Sequence, residues 1–165
     1  LHRVDRRQRQ MCIRDRCIAN EEDAKDVFGI TSVGTDIESG KLNRDGYIDV
    51  ARQIRDRFGC KKVAITLRSS ISANYNEWSG MLYDGKETFF SKTYRIHIVD
   101  RVGGGDSFGG GLIYSLISGY DCQKAIDFAV AASCLKHSIE HDFNLVSCAE
   151  VEALADGSGS GRVQR

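Results

Sequence analysis

No proline occurs in the 165 residues, although usage averages about 5%; the sequence offers no physical reason for that. Neither charge is in excess, since 23 Lys and Arg balance 23 Asp and Glu, so nothing electrostatic favours a nucleic-acid partner. There is no apolar run of membrane-spanning length and no segment of secretory-signal type, so neither a membrane span nor secretion is expected. Six cysteines, at 12, 17, 60, 122, 134 and 148, contain no C-x-x-C pair, so cysteine chemistry is not indicated and a reduced, cytoplasmic protein is expected. Four histidines, at 2, 97, 137 and 141, lack the H-E-x-x-H spacing of a metal site; His97, inside an alternating strand, reads as structural. No internal repeat is visible. What is present is 41% hydrophobic content, enough for one soluble domain's worth of core and too much for disorder.

Leu1 to Arg16 stand apart. They carry six arginines against two aspartates without apolar periodicity, which is either a solvated basic arm or, as preferred here, a segment 1–16 foreign to the domain at 17–165. From Cys17 onward, strands and helices alternate. A short strand end at Cys17–Ala19 precedes helices over Glu21–Phe28 and Tyr47–Phe58, and Lys62–Thr66 is a strand. Met81–Tyr83 and Thr88–Phe90 flank Asp84-Gly85, a hairpin signal. A strand at Tyr94–Val99 leads to helices over Asp106–Ser118 and Cys122–Ser138, and Ser147-Cys148-Ala149-Glu150 fits a capping box that starts the last one. This order predicts an α/β fold with a mostly parallel sheet covered by helices, whose ligands gather at strand C-terminal ends.

The most informative run is Asp100-Arg101-Val102-Gly103-Gly104-Gly105-Asp106-Ser107-Phe108. Three glycines bring a carboxylate to the point where strand becomes helix. Unpaired N–H groups and the dipole at that helix start suit a phosphate-like anion. Asp106, in the first turn, is placed to take a proton from a hydroxyl beside such an anion. The competing reading is a tight turn with Asp106 as dipole partner. Neither G-x-G-x-x-G nor a P-loop lysine is present.

The same run resembles the second signature of the ribokinase-like (phosphofructokinase-B) carbohydrate kinases, D-T-x-G-A-G-D-x-F, with Arg101 for the usual Thr and Gly104 for the usual Ala. Those two departures, the continuation Ser107 to Tyr114 and the tail Gly159 to Arg165 are most similar to the 2-dehydro-3-deoxygluconate kinase branch. The resemblance covers residues 17–165. It implies the C-terminal half of a three-layer α/β/α fold and transfer of the γ-phosphoryl group of MgATP to the 6-hydroxyl of a sugar acid. Asp106 is then the base and a substrate contact, while N–H groups around Gly103, Gly104 and Gly105 stabilise the transferred group.

Other residues take roles by the same resemblance. Asn20-Glu21-Glu22-Asp23 is similar to the N-x-x-E motif, placing Asn20 near ATP phosphates and Asp23 near Mg²⁺ through water; read by itself, Asn20 is an N-cap. Arg68 and Ser69 occupy the nucleotide loop expected after Thr66, where a guanidinium suits phosphates, unless Arg68 is an ordinary surface residue. Asn144 closes the adenine pocket or makes a turn. The small residues of Ala129–Ser133 lie against adenine in relatives, although helix packing explains most of them. Asp100 is the acid that helps bind a monovalent cation in many relatives. The partners implied are ATP and a small sugar acid, with no nucleic acid or membrane and with homo-oligomerisation of the full-length protein left open. A non-catalytic nucleotide-binding module and another sugar or nucleoside kinase are the alternatives. The first half of the sheet and the lid of the family are missing, so little activity from the chain alone and a tendency to associate are expected.

Overall fold

The structure, a computed structural model, describes residues 15–30 and 44–157. The expectations for 1–14 and for the tail 159–165 lie outside the described residues. Two compact units divide the chain, one comprising residues up to Leu67 with Met81–Phe89, the other Arg68–Gly80 with Phe90 onward. The strands β1 (Arg16–Asn20), β2 (Lys62–Ser70), β3 (Tyr75–Tyr83), β4 (Thr88–Phe90) and β5 (Tyr94–His97) are ordered β1-β2-β3-β4, with β5 on β3.

In the first unit, β1 (Arg16–Asn20) pairs in parallel with β2 (Lys62–Ser70), from Arg16↔Lys62 to Asn20↔Thr66. The strand begins at Arg16, and the Asp15 carbonyl accepts hydrogen bonds from the Lys61 and Lys62 N–H groups at 2.9 and 3.0 Å. Asp15 and Arg16 thus fold with the residues after them. Helix α1 (Glu21–Phe28) stops at Gly29, whose φ of 64° is the left-handed conformation that glycine tolerates. Helix α2 (Arg44–Phe58) starts three residues before the sequence reading and buries Gly46, Val50, Ala51 and Ile54, one face at helical spacing. Val63, Ala64 and Ile65 are all buried, the pattern of a strand covered on both faces. The turn at Asp84–Glu87 forms as expected, with Asp84 Oδ1 accepting from the Lys86 and Glu87 N–H groups at 2.8 Å each.

In the second unit, β3 (Tyr75–Tyr83) and β5 (Tyr94–His97) pair antiparallel, from Tyr75↔His97 to Trp78↔Tyr94. The sheet is therefore mixed. β3 extends well beyond the Met81–Tyr83 read from sequence, because Asn76, Ser79 and Gly80 look like loop residues yet are buried in it. β4 is Thr88–Phe90. Helix α3 (Gly104–Ile117) and helix α4 (Cys122–Lys136) approach closely where Gly111 lacks a side chain: a Cβ there would lie 3.2 Å from Ala129 Cα and from Ala132 Cβ. Gly80 serves the same purpose on the strand, since its Cβ would meet Val130, Ile126 and Phe108. Helix α5 (Cys148–Asp156) starts at the predicted capping box, Ser147 with Glu150, and buries Val151 against Phe128, Ala131 and Ala132. Residues 129–133 are buried packing, as their size suggested.

Candidate functional site

β5 ends at His97 and the chain passes through Asp100–Gly103 into α3. Ile98 N–H donates to the Asn74 carbonyl at 2.8 Å, while the Val99 and Asp100 N–H groups both donate to the His137 carbonyl, at 2.8 and 3.3 Å. The loop is thus held from the β2–β3 turn on one side and from the end of α4 on the other. Asp100 fixes it internally: Oδ1 accepts from Val102 N–H and Oδ2 from His141 N–H, each at 2.9 Å. Those backbone donors, with the Lys136 charge adding to them, hold the Asp100 carboxyl below the usual carboxylate range. Arg101 Nη2 donates to the Ala73 carbonyl, tying the loop to the turn after β2.

The three glycines meet three different demands. Gly103 stands at the N-cap with φ 75°, and a Cβ there would fall 2.3 Å from the Asp142 carbonyl oxygen. Gly104 is buried, and its Cβ would lie 2.6 Å from His137 Cε1, so the imidazole fills the space that the family's usual alanine methyl needs. A Cβ on Gly105 meets nothing within 4 Å. No side chain caps this terminus; Gly104 N–H donates to the Arg101 carbonyl at 3.4 Å, and the Gly105 and Asp106 N–H groups keep the unpaired character of a helix start. Asp106 is exposed in that first turn, and among the described residues its carboxylate makes no hydrogen bond or ion pair. Open space at Gly105, the Gly105 and Asp106 N–H donors and an uncommitted carboxylate form an arrangement that can hold an anion beside a proton acceptor.

Sequence reasoning missed the buttress beneath these glycines. His137 Nδ1–H donates to the Ser133 carbonyl at 2.7 Å, and its ring tilts against Trp78 with centroids 4.9 Å apart. Burial pushes the imidazole pKa below its ordinary value, the Ser133 bond opposing and nearby Lys136, Arg101 and Arg68 charges adding to the depression, so the ring is neutral near pH 7. Ser133 Oγ donates to the Gly104 carbonyl at 2.8 Å. These contacts join residues far apart in the chain, and no local pattern announces them.

Arg68 and Ser69 do not lie in a loop after Thr66. β2 runs on through Ser70, because the turn closes only beyond it, where the Ile71 and Ser72 N–H groups donate to the Tyr75 carbonyl at 2.9 Å each. Arg68 is exposed on that strand. Asn144 Nδ2 donates to the Ala132 carbonyl at 3.2 Å, and its Oδ1 is buried with no partner among the described residues. In the other unit, Asn20 and Asp23 form a capping box: Asn20 Oδ1 accepts from Asp23 N–H at 2.7 Å and Asp23 Oδ2 from Asn20 N–H at 3.0 Å. The cap reading of Asn20 therefore holds, whatever else the residue does.

Among the described residues no three His, Cys, Asp or Glu side chains gather to hold a metal, no helix is long and apolar enough to cross a membrane, and burial pushes the Cys134 thiol pKa up. A cavity of about 320 Å³ near Lys92, Asp127 and Glu152 contains none of the loop residues, so it is not where this chemistry is built.

A family model described as pfkB family carbohydrate kinase matches residues 15–139. The crystal structure of a 2-dehydro-3-deoxygluconokinase from Thermotoga maritima superposes with a TM-score of 0.79 at 50% identity, over 87% of this chain and 41% of that one. A PfkB family carbohydrate kinase from Listeria grayi gives a TM-score of 0.72 at 30% identity, over 91% of this chain and 43% of the other. A 2-dehydro-3-deoxygalactonokinase from Haloferax volcanii is 25% identical over 126 residues, 71% of this chain and 40% of the relative. The chain thus spans about two-fifths of the length of these proteins.

Proposed function

Because this chain belongs to the pfkB family of carbohydrate kinases, we propose that it is the phosphoryl-transfer part of a kinase that phosphorylates 2-dehydro-3-deoxy-D-gluconate at its 6-hydroxyl with ATP. The observation that carries the reading is the α3 terminus, which has no side-chain cap, has open space at the Gly105 Cβ position and carries the exposed Asp106 in its first turn. The 50% identity to a 2-dehydro-3-deoxygluconokinase supports the acceptor. Asp106 draws the proton from the acceptor hydroxyl as its oxygen approaches the γ-phosphorus in line. The N–H groups around Gly103, Gly104 and Gly105 stabilise charge on the transferring oxygens. Arg68 and Ser69 meet the phosphates, and Asn144 closes the adenine pocket, as the family resemblance implies. By the family resemblance, Asn20 also contacts the ATP phosphates.

Asp23 commits Oδ2 to the cap, which leaves Oδ1 for a water of hydrated Mg²⁺, an ion that keeps much of its shell. Bound Mg²⁺ supplies charge neutralisation between phosphates. Two neighbours of this site by similarity act, by their names, on other sugar acids, 2-dehydro-3-deoxygalactonate and 5-dehydro-2-deoxygluconate, and these are the rival acceptors. A whole kinase made by joining this chain to the upstream part of the Thermotoga maritima protein tests the reaction: ³¹P and ¹³C NMR should place the new phosphate on C6, and a phosphate elsewhere would refute the regiochemistry.

Gly105→Ala should melt no lower than the wild type, since alanine is the better helix former, yet its methyl stands in the open approach and should reduce turnover of the joined kinase roughly 10²-fold, as a misplaced reacting group does. Unchanged turnover would remove that approach from the site. Asn20→Asp preserves the cap and hence the melting temperature. If Asn20 faces phosphates, the added negative charge weakens ATP binding, measured by calorimetry, about tenfold, the effect expected of a like charge in partly screened surroundings; unaltered affinity would leave Asn20 as a cap only.

A further inference from the structure

Lys136 ends α4 fully buried, and among the described residues its ammonium makes no ion pair. A buried lysine without a carboxylate partner is costly, so its surroundings must supply compensation. Nζ donates to the Ile139 carbonyl at 3.0 Å. The stem packs against the glycine loop, with Cε 3.1 Å from where a Gly103 Cβ would stand, and the charge acts on Asp100. Asp100, in turn, binds the turn after α4 through His141 N–H, and that turn's His137 carbonyl accepts from Val99 and Asp100. The lysine thus sits where two loops meet, its ammonium bonded to a carbonyl and its charge acting on the Asp100 carboxylate.

We propose that the Lys136 ammonium is a tethered monovalent cation that holds the Asp100–Gly103 loop to the turn after α4, so that this protein needs no dissolved potassium ion. The donor set does not fit an added cation beside it. Carbonyl and carboxylate oxygens are the ligands such an ion would use; the Asp100 oxygens already accept from Val102 and His141 N–H, the ammonium, a compact point charge, is bonded to the Ile139 carbonyl, and a second positive charge beside it would be repelled. Lys136 is a positioning residue, acting on the α3 terminus through the loop.

The test compares melting of the chain in potassium, ammonium and tetramethylammonium chloride at equal ionic strength. Wild type should melt at one temperature in all three. Lys136→Ala should melt lower by at least about 5 °C in tetramethylammonium and recover when potassium or ammonium is supplied; Lys136→Gln, one atom shorter and with a donor but no charge, should respond likewise. If either variant is unfolded at the outset, recovery of folded protein on adding potassium or ammonium is the same result. Potassium-specific stabilisation of wild type, or variants indifferent to both small cations, would overturn the proposal. In the joined kinase, which rests on the function proposed above, wild-type turnover should ignore potassium while Lys136→Ala gains at least about tenfold from it, the worth of one charge-assisted hydrogen bond. A joined kinase that is silent while the melting results stand refutes the reaction and leaves the tethered cation in place.

Discussion

Asp106→Asn in the joined kinase retains ATP binding and loses roughly 10²–10⁴-fold in turnover, the usual contribution of a general base. The amide matches the carboxylate in size but cannot accept the hydroxyl proton. Asp106 is exposed and, among the described residues, uncommitted to any hydrogen bond or ion pair, so folding does not depend on it, and calorimetry should find ATP affinity and melting temperature little changed. The first-turn N–H groups and the open space at Gly105 persist in the variant, which preserves phosphate binding while removing proton transfer. Turnover within a few-fold of wild type would take Asp106 out of the role and leave it as a dipole partner at the start of α3.

Gly103→Ala unfolds the loop. Two costs add at this position: φ 75° disfavours any L side chain, by about 1–2 kcal/mol, and the methyl would stand 2.3 Å from a backbone oxygen, that of Asp142, where relief requires moving the turn and costs typically another 1–3 kcal/mol. Together these lower the melting temperature by on the order of 10 °C. Gly104→Ala meets a side chain, His137, which can shift or be trimmed; His137→Ala should therefore suppress much of the Gly104→Ala defect, whereas no side-chain substitution repairs Gly103→Ala. Equal tolerance of alanine at 103 and 105 would contradict the separate demands on the two glycines.

The glycine loop was legible in the sequence because glycine marks backbone demands directly, and the helix starts at Asn20 and Ser147 were legible because capping is local, complete within four residues. β3 was not. Its buried Asn76 and Ser79, with Gly80 packed against Val130, depend on tertiary partners that override strand propensity. The family resemblance sets Arg68 and Ser69 in a nucleotide loop directly after Thr66, whereas here the strand continues past them to Ser70. The support of the loop by Ser133, Lys136 and His137 was also hidden, since a lysine and a histidine at a helix C-terminus look like ordinary dipole partners. Only their burial, with Lys136 and His137 each pressed against a glycine of the signature, assigns them to the site. Gly104 in place of alanine was visible as a departure, and its cause, the His137 ring, lay on another helix.

The central claim is most directly tested by ADP formation in the joined kinase with MgATP and 2-dehydro-3-deoxygluconate, set against ribose, fructose, adenosine and the two rival sugar acids. Preference for 2-dehydro-3-deoxygluconate is the predicted result. Silence with every acceptor, from a folded protein that binds ATP, would contradict it and make the chain a nucleotide-binding module without chemistry.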